Sequence, residues 1–187
     1  MQPTTVLLVF GGESAEHEVS IASARNVFAS LDDTKYNINL CYVDKSGRWW
    51  SLPALDGEIH TAGLSQLTPV LGTAQFVTIP ESKTIHPDVI LAILHGPNGE
   101  DGTVQGLAKL MHVPIVGCDV TASAICMDKI FTKRLLLQAD LPVVPYEVHL
   151  KGQPNPEFNQ LTMRHGSPLF VKPANLGSSV GISKVYN

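Results

Sequence analysis

Glu13, Glu16 and Glu18 crowd the decapeptide GGESAEHEVS, which follows directly on the apolar run TVLLVF ending at Phe10. In an open α/β sheet, ligands sit beyond the carboxyl ends of the strands, and a glycine pair at that place lets backbone approach a ligand closely. The first turn of a helix normally attracts an anion, but carboxylates placed there repel a pyrophosphate. Glu16 can instead hold a substrate ammonium group. The alternative is that all three acids only complement the helix dipole.

A second strand end carries HGPNGEDG, after VILAIL at Val89 to Leu94. His95 can there donate a hydrogen bond to a carboxylate or phosphate oxygen, or serve structure alone. Glu100 and Asp101 stand where a helix beginning near Thr103 needs caps. Further on, Lys129 and Lys133 lie one helical turn apart on one face. The stretch VKPANLGSSVGISKV has the composition of an anion loop: a strand delivers Lys172 to its mouth, and Gly177, Ser178, Ser179 and Gly181 supply N–H groups and hydroxyls. It is not the pattern GxxxxGK[ST], because the lysine precedes the glycines and a strand follows. A plain hairpin turn is the other reading.

The elements that must position these groups alternate. Thr5 to Phe10 reads as a buried strand. Ile21, Ala24, Val27, Phe28 and Leu31 then mark one helix face. Ile38 to Val43 is a second strand, and DKSGR turns into WWSL, a short antiparallel partner in which Trp49 and Trp50 point to opposite faces, one packed and one covering surface. Pro53 to about Lys83 is weakly periodic, apart from a short strand at Gln75 to Ile79. After VILAIL comes a helix face of Val104, Leu107, Ala108 and Met111, then the short strand VPIVG. The alternation predicts a doubly wound parallel sheet. DVTASAICMDKIFTKRLLLQAD follows as one long helix stopped by Leu141-Pro142, then VVPYEVHL and SPLFVKP as strands around a connector with a short helix, and finally the strand GISKV.

With 44 % hydrophobic and 16 % charged residues among 187, the composition is that of a globular chain able to bury a sizeable core. A net charge of −4 gives no global attraction to nucleic acid. No run approaches the roughly 20 apolar residues of a membrane span, and MQPTTVLLVFGG lacks the flank and cleavage region of a signal peptide, so the expected location is cytoplasmic. Cys41, Cys118 and Cys126 have no metal-binding or disulfide spacing and are expected to be buried thiols.

Taken in order, GGESAEHEVS, HGPNGEDGTVQG, MDK and VKPANLGSSVG resemble the first half of the D-alanine-D-alanine ligases of the ATP-grasp superfamily, most closely their A-type branch. The resemblance implies an α/β chain with a Rossmann-like domain over residues 1–123 and the opening of an ATP-grasp α+β subdomain over 124–187. The C-terminal domain, with the ligands of Mg2+ or Mn2+, is expected beyond Asn187. It implies ATP-dependent joining of two D-alanines for peptidoglycan precursors. Glu16 would hold the ammonium of the first D-alanine and His95 would lie near it. Lys129 and Lys172 would contact the nucleotide phosphates with Gly177, Ser178 and Ser179, and Ser178 would also bond to Glu16 and help close the site. A homodimer through the first domain is implied as well. The chain by itself is expected not to turn over, and no metal ligand is expected within it. Two other readings stand beside this one: a ligase that joins D-alanine to D-lactate or D-serine, and a non-catalytic ligand-binding fragment.

Overall fold

The computed structural model describes residues 2–186. The chain divides into two compact units, Met1–Ala124 and Ile125–Asn187.

The first unit is built on β1 (Thr4–Gly11), whose side chains from Val6 to Phe10 are all buried. Burial on both faces explains why this segment is continuously apolar and does not alternate. Beside it run β2 (Tyr36–Val43) and β7 (Val89–Ala92), both parallel to it. This is the parallel core that the strand-turn-helix alternation predicts. α1 (His17–Ser30) covers one face, where Ile21 and Ala24 join Leu8, Phe10 and Leu40. α2 (Thr103–Met111) covers the other, where Ala108 and Met111 join Leu7, Val9 and Ile90.

Beyond β2 the sheet continues antiparallel through β3 (Trp49–Leu52), β4 (Ser65–Val70), β5 (Gln75–Ile79) and β6 (Thr84–Ile85), in the order β6-β5-β4-β3-β2-β1-β7. Residues 53–83, expected to be an irregular excursion around one strand, therefore add β4 to the sheet as well. Trp49 packs on the α2 face, its ring stacked 6.2 Å from that of Phe76, and Trp50 packs on the α1 face. Both tryptophans serve the core, where one was expected to cover surface. VPIVG contributes a single parallel bridge, Ile90 to Ile115, and no strand.

The long helix expected after Gly117 is two helices. α3 (Val120–Met127) and α4 (Lys129–Gln138) are separated by Asp128, whose carboxylate accepts from the backbone N–H of Ile130 and of Phe131 at 2.7 and 3.0 Å. Capping a new helix start outcompetes continuing the old one. The rest of the second unit is α5 (Phe158–His165) and an antiparallel pair, β8 (Leu169–Val171) with β9 (Ser183–Val185). VVPYEVHL forms no strand: it is rich in β-branched residues, yet no neighbouring strand accepts its ladder. Of the three cysteines only Cys41 is buried, and burial pushes its thiol pKa up; Cys118 and Cys126 are exposed.

Candidate functional site

In the first unit the site is built where β1 and β7 end. Gly11 has φ +94°, and a Cβ on it would lie 2.2 Å from the carbonyl oxygen of Val43, so only glycine lets β1 turn this close to β2. The next N–H, that of Gly12, donates to the same carbonyl at 2.8 Å. The chain then enters α1 with Glu16 in the N-cap position, where its side chain makes no capping hydrogen bond.

The three acids have different surroundings. Glu13 accepts from the side-chain amide of Asn98 at 3.0 Å, which ties the first turn to the loop after β7. Glu18 is exposed and pairs with Lys45 at 2.9 Å; that hydrogen bond and the ammonium charge lower its pKa. Glu16 instead brings Oε2 to within 3.1 Å of the place a Cβ on Gly96 would occupy. Gly96, with φ +71°, leaves room that an alanine would take. The carboxylate of Glu16 thus lies against the residue that follows His95, on the same rim of the sheet.

The loop carrying His95 is tightly held. Gly96 N–H donates to Glu100 Oε2 at 2.8 Å. Asp101 accepts from the N–H of Asn98 at 2.9 Å and of Thr103 at 3.0 Å, so it initiates α2 while Glu100 closes the loop. Burial pushes the Asp101 carboxyl up, but the N–H groups of Asn98 and Thr103 and the hydroxyl of Thr103 outweigh it and leave the pKa lowered. Within this ordered frame, Nε2 of His95 is buried and has no hydrogen-bond partner. An orphaned buried ring nitrogen is costly, and a ligand group that pairs with it recovers that cost. A cavity of about 550 Å³ shares His95 and Gly12 and is otherwise walled by Trp49, Leu67, Leu94 and Leu107 among others. Glu16 does not line it, so this cavity and the acid's position are separate features.

Behind Glu16 stands a buried polar cluster that residue types alone do not single out. His17 is 3 % exposed; its Nδ1 is 2.5 Å from the carbonyl oxygen of Gly12 and its Nε2 is 3.1 Å from the Tyr42 hydroxyl. Ser20, wholly buried, accepts from Gly11 N–H at 2.8 Å and donates to Ile93 O at 2.5 Å. The signal available in the sequence was two polar residues, His17 and Ser20, at positions that share the helix face of Ile21 and Ala24.

In the second unit, the loop between β8 and β9 carries Lys172, exposed and just past the end of β8. Ser178 and Ser179 turn the chain with φ of 45° and 62°. Lys129, the first residue of α4, holds the base of this loop: its backbone N–H donates to Ala174 O at 3.0 Å, and its ammonium donates to the carbonyls of Ala174 and Leu176. Lys129, Lys172, Gly177, Ser178 and Ser179 are therefore parts of one local structure. Lys133 is engaged elsewhere, donating to Val144 O at 3.1 Å and lying 4.8 Å over the Tyr146 ring. Among the described residues no three His, Cys, Asp or Glu side chains cluster as a metal ion requires, and no helix is long and apolar enough to cross a membrane.

Comparison with known proteins places both units. Residues 5–118 match the family model for the D-ala D-ala ligase N-terminus, and residues 135–187 match that for the D-ala D-ala ligase C-terminus. A D-alanine-D-alanine ligase of Thermoanaerobacter sp. (strain X514) is 41% identical over all of this chain and 55% of its own length. The structure of the D-alanine-D-alanine ligase of Coxiella burnetii superposes with a TM-score of 0.88 at 32% identity, covering 100% of this chain and 56% of that one. The VanG D-Ala:D-Ser ligase of Enterococcus faecalis follows at 0.81 and 33%, with the same coverage. The chain spans about half the length of the curated relatives it matches.

Proposed function

The chain belongs to the D-alanine-D-alanine ligase family, and from that premise we propose that it supplies the first-substrate end and the phosphate loop of an ATP-dependent ligase that joins two D-alanines. The observation that carries this reading is the carboxylate of Glu16. It is set against Gly96 and left out of helix capping, on the same rim as a buried His95 nitrogen that lacks a partner.

ATP, as co-substrate, supplies the phosphoryl group that turns the carboxylate of the first D-alanine into an acyl phosphate; the amine of the second D-alanine then displaces phosphate to form the peptide bond. Glu16 binds the ammonium of the first D-alanine, a charge-assisted contact that fixes which end of the amino acid faces the nucleotide. His95 donates to an oxygen of the same substrate. In the second unit, Lys172 and Lys129 offer positive charge to the phosphates, while backbone N–H groups and hydroxyls at Gly177, Ser178 and Ser179 wrap them as charge moves onto phosphoryl oxygen. Ser178, through its hydroxyl, takes part in closing the site. Mg2+ or Mn2+, the ion that would accompany ATP, belongs to the same reading; among the described residues no group of three His, Cys, Asp or Glu side chains gathers to hold it. Pairing of two copies through the first unit and a cytoplasmic location, where ATP is available, belong to the same reading.

The preference for D-alanine as second substrate follows the names of most relatives, whereas the VanG superposition makes D-serine the competitor to test. Incubating the enzyme at the full length of its relatives with ATP, D-alanine and D-serine, and weighing the products, decides between them. The expected result is phosphate released in step with D-alanyl-D-alanine, and none released by the 187-residue chain alone. Phosphate release that does not depend on D-alanine overturns the proposal; D-alanyl-D-serine as main product moves it to the other ligase class.

A further inference from the structure

We propose that His17 is a positioning residue: braced between the Gly12 carbonyl and the Tyr42 hydroxyl, it holds the first turn of α1 so that the Glu16 carboxylate stays fixed against Gly96. The inference rests on the reading of Glu16 as the group that binds the substrate ammonium.

A carbonyl oxygen can only accept, so the contact at 2.5 Å to Gly12 places the ring proton on Nδ1. Nε2, which carries no proton in that tautomer, then accepts from the Tyr42 hydroxyl at 3.1 Å. Burial, followed by the negative charges of Asp44 and Glu18, pushes the Tyr42 pKa up, which keeps that phenol protonated and able to donate. The two rings also meet edge-on, with centroids 5.6 Å apart. One turn later, Ser20 bridges Gly11 N–H and Ile93 O. The start of α1 is therefore anchored to β1 through Gly11 and Gly12, to β2 through Tyr42, and to the end of β7 through Ile93.

Glu16 is one peptide unit from His17, and its own carbonyl accepts from Ser20 N–H at 2.9 Å. Any shift of the His17 ring is passed to Glu16 with little slack. Packing alone does not explain the residue, because an aliphatic or aromatic side chain fills the same volume without the cost of burying two polar nitrogens. What imidazole adds is direction: two hydrogen bonds that define the angle at which the helix leaves the glycine turn. A binding carboxylate must be held to within about 0.5 Å of its productive place to work.

The test compares His17→Phe, His17→Asn, Tyr42→Phe and Glu16→Gln in the enzyme at the full length of its relatives, reading KM for D-alanine, KM for ATP, kcat and Tm. His17→Phe is expected to raise KM for D-alanine about tenfold, the equivalent of roughly 1.4 kcal/mol, and to leave KM for ATP within about twofold. His17→Asn, whose amide nitrogen takes the place of Nδ1 and donates to the Gly12 carbonyl, is expected to recover most of the D-alanine KM. Tyr42→Phe is expected to raise it by about threefold, in line with the loss of one neutral hydrogen bond. A His17→Phe enzyme with lowered Tm and lowered kcat but unchanged KM values is held together by His17 and not positioned by it, and the proposal falls. Should that variant fail to fold, Tyr42→Phe decides by itself: an unchanged D-alanine KM overturns the inference. If Glu16→Gln leaves D-alanine KM unchanged, the reading of Glu16 is wrong and this inference goes with it, through the acid and not through His17.

Discussion

Every buried hydrophobic residue among those described, from Val6 to Val113, lies in the first unit. In the second unit α4 and α5 bury none of their residues, and Phe131, Leu135, Met163 and Phe170 are each about half exposed or more. The first unit thus carries its proposed substrate end on a closed core, with Phe10 and Leu7 wholly out of water beneath it. The second holds its proposed phosphate loop by local bonds: the Asp128 cap, the Lys129 contacts and the short β8-β9 ladder. The difference matters chemically. A carboxylate that recognises one ammonium gains from rigidity, whereas a loop that must close over a nucleotide and reopen is drawn from the weakly held end of a structure. It also leaves α4 with none of its residues buried, although most helical stability in proteins comes from packing.

Substitutions can break this contrast. Phe10→Ala should cost about 3–5 kcal/mol by urea unfolding. Phe131→Ala, 57% exposed, should stay within about 0.5 kcal/mol. Equal losses would erase the distinction between the units. Gly96→Ala comes next: a left-handed backbone and a Cβ 3.1 Å from Glu16 Oε2 should cost about 1–2 kcal/mol and raise KM for D-alanine by displacing the acid, while a KM that does not move would separate Glu16 from substrate. Asp128→Ala should cost about 1 kcal/mol and show as helicity lost from α4, with the first unit unaffected, by circular dichroism and by amide shifts.

The smallest effect is one of pH. Because the folded pKa of Asp101 is lowered, its contribution is fully present above the ordinary carboxylate range and lost as pH falls through the lowered value. Asp101→Asn should therefore flatten the acid limb of the stability curve of the first unit and leave the neutral region shifted only by the lost loop contacts. An acid limb identical to that of the original chain would show that the Asp101 carboxylate does not contribute to acid stability.

The difference between the units also governs how much could be read from the residues. β1, α1, β7 and α2 were legible because a closed core imposes strict patterns: TVLLVF is buried on both faces, and Val104, Ala108 and Met111 repeat with the helix. β4 escaped because only Leu67 of its six residues is buried and Pro69 interrupts it. VVPYEVHL looked like a strand because composition reports propensity and says nothing of whether a partner strand is present. The break at Asp128 was written in the residue type, a good helix cap inside an apolar run, but outweighed by the length of that run. Glu16 and His95 were visible as residues at strand ends. Their approach through Gly96, and the buried His17 behind them, depend on the meeting of β1, β2 and β7, which no local pattern records.

Hydrogen exchange on the chain, resolved by segment, tests the central contrast most directly. The amides of β1 and of the first turns of α1, residues 17–24, should exchange only with global unfolding of the first unit, and residues 172–182 should exchange orders of magnitude faster. A first turn of α1 that exchanges as fast as the β8-β9 loop, or a loop as slow as β1, would contradict it.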